Sequence, residues 1–355
     1  MNTSVDAMAL DADRPRTQRP APHATHKLKL LLKREFWEHK GGFFWAPIWA
    51  GGISLLLTLM ALVFGEVAAR RAAASGKLQI DGDVMINGLD LSVITSKLDA
   101  EDLRRLSGGI DLSMLSSSMW PLMVLGFVVF FYCLGSLYDE RKDRSVLFWK
   151  SLPVSDRDTV LSKAASALLV APVLAVAAAI ACMFAFMVLI SLFVLLHNGN
   201  PVELLWGPGS PLANAGLMLA AIPLYALWAL PTVGWLLLCS AWSRSKPFLW
   251  AIMLPVFAGI FISWFDVMNA FELNSGWFWQ NVVARLLGGT FPGTWIAVAN
   301  TNGLRFEHPG DMIGHMDALQ AMYSVFATPQ LWIGVVAGIA MIVGAIRLRR
   351  WRDEG

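Results

Sequence analysis

The sequence predicts an all-α polytopic membrane protein: six transmembrane helices, both termini cytoplasmic, an amphipathic helix leading into the first span and a re-entrant helix pair on the outer side. Three observations predict it. Of 355 residues, 56% are hydrophobic and only 15% charged, where soluble domains average about 45–50% and about 25%, so a soluble enzyme is excluded. Charge-free apolar runs recur along the chain, and about 20 apolar residues suffice to cross the roughly 30 Å hydrocarbon core. Lys and Arg alternate in density between successive inter-span segments, 20 on the side of both termini against 8 on the other, and the richer side is the cytoplasmic one.

Residues 1–25 lack an apolar core and are rich in Pro and Arg, among them Arg14, Pro15, Arg16, Arg19, Pro20 and Pro22. No cleavable signal peptide is expected there, and the tail reads as disordered. Residues 26–40 place Leu28, Leu32 and Phe36 at i, i+4 and i+8, with Leu31 beside them and Leu30 and Trp37 widening the apolar side. Lys29, Lys33, Glu35 and Glu38 supply polar surface. A basic amphipathic helix of this kind lies along the inner leaflet and enters the first span through Gly41 and Gly42. The alternative is a plain cytoplasmic extension of that span.

Spans are expected over residues 41–65, 113–138, 164–196, 212–243, 247–265 and 331–346. The third is 33 residues long and contains Pro172, so it tilts or projects into water. The fourth starts after the turn residues Gly207, Pro208, Gly209 and Pro211, and Pro223 and Pro231 should kink it. Prolines are tolerated there because neighbouring helices satisfy the freed carbonyls. The outer loop 66–112 reads as a small cap, weakly strand-like over 78–94 and helix-like over 99–106. Residues 276–299 are apolar enough for a seventh crossing, but Arg285, Gly288, Gly289 and Pro292 interrupt them, and a seventh crossing would put Arg347, Arg349, Arg350 and Arg352 outside. Within the outer loop 266–330 they therefore read as a re-entrant or interfacial helix pair. Residues 347–355 form a basic cytoplasmic tail.

Tryptophans gather toward span ends, for example Trp45, Trp49, Trp120, Trp242, Trp250, Trp264 and Trp332, as an interfacial belt requires. Cys133, Cys182 and Cys239 fall in apolar runs; an odd, unclustered set fits neither a disulfide framework nor a zinc site and reads as packing. No ionisable residue lies between the ends of any expected span, which argues against an ion-coupled carrier. The phosphate-loop pattern G-x-x-x-x-G-K-[ST] and the patterns G-x-S-x-G and H-E-x-x-H are absent. Glu307, His308, Asp311 and His315 are ligand types for zinc without a motif spacing, so they read as a solvated loop, with a metal site as the alternative. Gly334 and Gly338 form a G-x-x-x-G pair permitting close helix approach, either between subunits or inside the bundle.

The cytoplasmic loop 139–163 is the most informative segment. Val146, Leu147, Phe148 and Trp149 stand between charged flanks, Pro153 ends that short helix, and Ser155 caps the next through S-x-x-D spacing to Asp158. An exposed apolar and aromatic patch of this kind suits a partner's groove; alternatively Phe148 and Trp149 lie in the headgroup layer.

The order Glu140-Arg141, short apolar helix, Leu152-Pro153-Val154-Ser155, and Lys163 at the mouth of the third span resembles the first cytoplasmic loop of ABC-2 type transporter permeases. The topology is similar throughout, although the family's Gly-Thr after the Glu-x pair is replaced by Lys142-Asp143-Arg144-Ser145. The resemblance implies a permease dimer in the plasma (cell inner) membrane, working with two cytoplasmic P-loop ATPase subunits that carry the ATP and Mg. By the same resemblance the loop supplies a coupling helix, with ATPase contacts at Glu140, Arg141, Arg144, Ser145, Val146, Leu147, Phe148, Trp149, Lys150 and Ser151. This chain itself would hold no catalytic, cofactor or metal site and no nucleic acid; its other partner is membrane lipid. The cargo, lipid-like or amphipathic and exported, would pass between two permeases along spans two and five. The alternative is a non-transporting membrane anchor or assembly subunit that recruits a cytoplasmic partner.

Overall fold

A computed structural model describes residues 24–74, 100–143, 155–268, 274–300 and 315–352. The contacts expected at Arg144 to Ser151, the strand-like stretch 78–94, Glu307, His308, Asp311 and most of the two tails lie outside these residues. Among the described residues the chain is helical, without strand. Helix α1 (Ala24–Glu38) leads through a π turn (Gly41–Trp45) into α2 (Ala46–Ala74). Then come α3 (Ala100–Ser136), the short α4 (Tyr138–Lys142), α5 (Asp156–Ala165), and, beyond a second π turn (Ser166–Val170), α6 (Ala171–Leu196). Helix α7 (Pro211–Trp242) and α8 (Pro247–Val267) follow. The chain closes with α9 (Ser275–Phe278), a π turn (Trp279–Val283), α10 (Ala284–Gly288), α11 (His315–Ser324) and α12 (Pro329–Arg352).

Six stretches are long and apolar enough to cross a membrane: Gly41–Arg71, Arg105–Lys142, Asp156–Leu196, Pro211–Trp242, Pro247–Val267 and Pro329–Trp351. The protein is a multi-pass membrane protein. Several helices outrun their expected ends, because the charges that should end them find partners. Glu66 does not stop the first span: its carboxylate pairs with Arg70 and with His197 Nε2 at 2.9 Å, and α2 continues to Ala74. The helix-like stretch expected at 99–106 within the outer loop is continuous with the second span and forms the start of α3. Its Ser107 donates to Pro208 O at 2.7 Å, and Asp111, 3% exposed, accepts from Ser210 N at 2.8 Å and Asn214 Nδ2 at 3.1 Å. Ser155 caps α5 by accepting from Asp158 N at 3.1 Å. The sixth span, expected to stop at 346, runs on through the arginines to Arg352.

Helix α7 is the centre of the bundle, and its most extensive partner is α12. The two meet at glycines: a Cβ on Gly234 would stand 2.6 Å from Gly338 O, and one on Gly338 would stand 2.8 Å from Leu230 O. The G-x-x-x-G pair thus serves contacts inside the bundle, since Gly334 lies against the Arg285 guanidinium. Alanines 164, 167, 171 and 175 make a small-residue stripe, each 4% exposed or less, that lets α5 and α6 approach α3 and α7. Pro223 and Pro231 lie within unbroken α7. The belt tryptophans Trp45, Trp49, Trp120, Trp242, Trp250, Trp264 and Trp332 are all exposed on the bundle surface.

The three cysteines are unpaired and buried, Cys182 with its thiol 3.5 Å from Ser117 O. Impermeant maleimide should therefore leave all three unmodified in the folded protein and label them only after denaturation, as intact-mass spectrometry would register.

The segment after α8 folds back along it. Ser275 N donates to Asp266 Oδ2 at 3.2 Å, and Trp279 Nε1 donates to Ser263 Oγ at 2.8 Å. A Cβ on Gly259 would stand 2.8 Å from the Trp279 ring, so the glycine is what admits it. At the start of α10, Arg285 lies over the Trp228 ring at 4.1 Å and donates to Gln330 O and, at 3.4 Å, Leu331 O, at the start of α12. Thr232 Oγ1 donates back to Arg285 O at 2.6 Å. The chain reverses over residues 289–293, where Gly293 takes φ +89°. It returns along α7 as a single 3-10 segment (Thr294–Val298), held by Tyr225 OH donating to Thr290 O and Trp228 Nε1 to Thr294 Oγ1, each at 3.0 Å.

Candidate functional site

The end of the bundle where α1 begins and α12 ends holds a buried ionic cluster. Lys163 in α5 is 2% exposed, and its Nζ lies 3.1 Å from Glu35 Oε1 and 2.9 Å from Glu140 Oε1. Glu35, 1% exposed, also accepts from Tyr132 OH at 2.7 Å. Glu140 Oε2 accepts from Arg349 Nη1 at 2.9 Å, and the same guanidinium donates through Nε to Asp156 Oδ1 at 3.0 Å. Arg34 stands 3.8 Å from Glu140 Oε1 and 3.3 Å from Glu38 Oε2. The cluster thus joins α1, α3, α4, α5 and α12.

Local periodicity puts each member there. On α1, Glu35 follows Leu31 and Leu32 at i+4 and i+3, on the face turned to the bundle. Leu31 is 8% exposed, Leu32 and Phe36 are half-buried, and Leu28, Leu30 and Trp37 are exposed. Glu35, expected among the polar surface residues, is thus buried, because its stripe packs on α5 and the adjoining π turn and its charge meets Lys163 there. On α4, Glu140 extends the buried series Cys133, Ser136 and Leu137. On α12, Arg349 extends Val335, Ile342 and Ala345.

Four carboxylates, Glu35, Glu38, Glu140 and Asp156, face three cations, Lys163, Arg34 and Arg349, so the charges within this cluster nearly cancel. Burying ions costs solvation that their mutual attraction only partly returns, so such clusters fix geometry more than they add stability. What is fixed here is the frame of one segment. Residues 144–154 leave from α4 and re-enter at α5, and Arg349 grips an acidic residue on each side, Glu140 before the gap and Asp156 after it. Arg141 adds a second anchor by donating to Ser240 O and, at 3.0 Å, Ser243 O at the end of α7. Ser240 Oγ in turn accepts from Leu137 N at 3.1 Å and Tyr138 N at 3.0 Å.

Of the expected contact residues, the structure describes Glu140 and Arg141; both face into the bundle as anchors. Sequence reasoning left Glu35, Tyr132, Asp156 and Arg349 out of the site. Glu35 carried a usable signal, a lone acid on an apolar stripe. Arg349 had none that separated it from Arg347, Arg350 and Arg352.

A second polar cluster lies at the opposite end. His315 Nε2 is 3.1 Å from Asn214 Oδ1 and 4.0 Å from Asp111 Oδ2. His315, expected in a solvated loop, therefore packs against α3 and α7, because Asn214 and Asp111 offer it partners. Comparison with protein-family models, curated proteins and solved structures finds no match to this chain.

Proposed function

We propose that this chain is the permease subunit of an ABC-2 type ATP-binding cassette exporter, with both termini cytoplasmic and ATP hydrolysed on a separate P-loop subunit. One observation carries the reading: the ionic cluster clamps both flanks of the segment that the resemblance identifies as the coupling helix. A push on residues 144–154 would reach the helix leading into the first span through Glu35, the third span through Lys163 and the sixth through Arg349. The ATPase must bind two permease states with different affinity for that push to be transduced. The density of Lys and Arg at this end supports a cytoplasmic placement.

The segment from α9 to residue 298 is read as re-entrant from the outer side. Arg285 ties it to Thr232 of α7 and to Gln330 O and Leu331 O in the first turn of α12. The exposed rings of Phe127 and Phe131 on α3 and Phe248 on α8, the last two stacked at 6.0 Å, offer an apolar seat for a second permease beside the transport path.

Purification of the tagged chain from its native host in mild detergent should recover a P-loop ATPase in equal ratio. Phe148→Ala or Trp149→Ala should lose the partner or its stimulated turnover. Glu140→Gln should keep the partner and lose stimulation. Recovery of the chain alone, or with a partner lacking a nucleotide site, would favour the membrane-anchor reading instead.

A further inference from the structure

Within the bundle, between α3, α6, α7 and the turn at 289–293, lies a cavity of about 550 Å³. That volume falls inside the range of about 300–1,000 Å³ of small-molecule sites. Its walls follow α3 from Leu115 to Leu125 and α7 from Leu217 to Tyr225, about 12–15 Å along the bundle axis at the rise of an α-helix. It is therefore long in the direction in which lipid chains lie.

The chemistry of the walls is restrictive. Only two side-chain hydroxyls line it, and both are engaged: Ser118 Oγ donates to Leu115 O at 2.8 Å and Tyr225 OH to Thr290 O at 3.0 Å. A water inside would lack the polar partners it needs, and a polar ligand would be desolvated without return. The mouth is flanked by Met119, Met123 and Ile296, exposed on the bundle surface; methionines adapt to irregular apolar shapes. One helical turn beyond the walls, before Leu115 and Leu217, sit Asp111 and Asn214 with His315 against them. Asp111 and Asn214 are buried and bonded to each other behind the wall, so the slot itself matches a hydrocarbon tail.

We propose that this cavity is a binding site for the alkyl chain of an amphiphile, with the chain lying between α3 and α7 along the bundle axis. The inference rests on the membrane setting of the bundle and is independent of the ATPase reading. The chain could come from a bilayer phospholipid or from a free single-chain amphiphile, and the test separates the two.

The full-length protein, reconstituted in phosphatidylethanolamine and phosphatidylglycerol vesicles, is irradiated with photoactivatable palmitate in one arm and with a phospholipid bearing the same photoactivatable chain in the other. Labelled residues are mapped by peptide mass spectrometry. Labelling should concentrate on the 115–125 and 217–225 peptides above the lipid-facing background set by Leu56, Leu57 and Met60 on α2. Excess unlabelled palmitate should remove it in the palmitate arm. Labelling in the phospholipid arm alone assigns a bilayer chain, and labelling in the palmitate arm a free amphiphile; either supports the site. Ala221→Trp, which fills the cavity, should abolish it. Met119→Trp, a change at an exposed position that leaves the packed interior untouched, should do so by closing the mouth. Labelling no greater than on α2 in both arms, or labelling that survives both variants, would overturn the proposal. Loss of ATPase association would leave this result unchanged, so the two readings fail separately.

Discussion

Lys163→Met is expected to destabilise the protein by about 3–5 kcal/mol, the usual result of removing one member of a buried ion pair and stranding the other. Two carboxylates are stranded here: Glu35 keeps Tyr132 OH at 2.7 Å with His39 Nδ1 4.0 Å away, and Glu140 keeps Arg349 at 2.9 Å with Arg34 farther off. The lost cation cannot be replaced by water without opening the contact between α1 and α5. Denaturation monitored in detergent, wild type against variant, gives the size of the effect. The double variant Lys163→Met/Glu35→Gln should recover a good part of the loss, because it removes one stranded charge while the glutamine amide oxygen can still accept from Tyr132. If the double variant is no more stable than Lys163→Met alone, the loss arises from packing and the charge account is wrong. Lys163→Arg should recover little, since a forked guanidinium does not fit a site shaped for a point charge between two carboxylates.

Gly338→Val is the second large effect. A Cβ there meets the backbone carbonyl of Leu230, which belongs to an unbroken helix and cannot swing aside as a side chain would. Overpacking of this kind costs about 1–3 kcal/mol and sometimes more, and here α12 must move away from α7. The displacement carries Arg349 with it, so the ionic cluster should loosen as well. The variant should unfold at lower denaturant in detergent than the Gly338 protein. Gly344→Ala is a control on the same helix: its nearest neighbour is the flexible end of Leu238, 3.2 Å away, and stability should hold nearly unchanged. Equal losses for the two would mean that α12 tolerates no addition anywhere along its length.

Six apolar stretches were legible because membrane crossing is a demand on composition, which a single sequence shows directly. Their ends were less legible. Glu66, Asp111 and Arg347 looked like span limits by charge, but here the helices run past them because charges along them find partners. The partners, His197, Asn214 and Glu140, lie 131, 103 and 209 residues from the residues they satisfy, namely Glu66, Asp111 and Arg349. The same distance in sequence hid most of the candidate site. Ser155 could be read as a cap because its partner is three residues away. Lys163 could be placed only at the mouth of a span, since nothing local reveals that two acids converge on it. The glycine pair in α12 showed that something approaches closely, and only the fold identifies α7 and Arg285 as what approaches.

The grip of Arg349 on both Glu140 and Asp156 also bears on how the molecule is made. Glu35, Glu140 and Lys163 belong to the first three spans and can meet while later spans are still being inserted, but at that stage Asp156 has no guanidinium from α12 and Glu140 has one cation fewer. The frame around residues 144–154 therefore closes only when the sixth span has been threaded and its far end has reached the same side. A half-built bundle therefore lacks the bridge from Glu140 to Asp156 that the finished one has, and Arg349 is the residue that completes it.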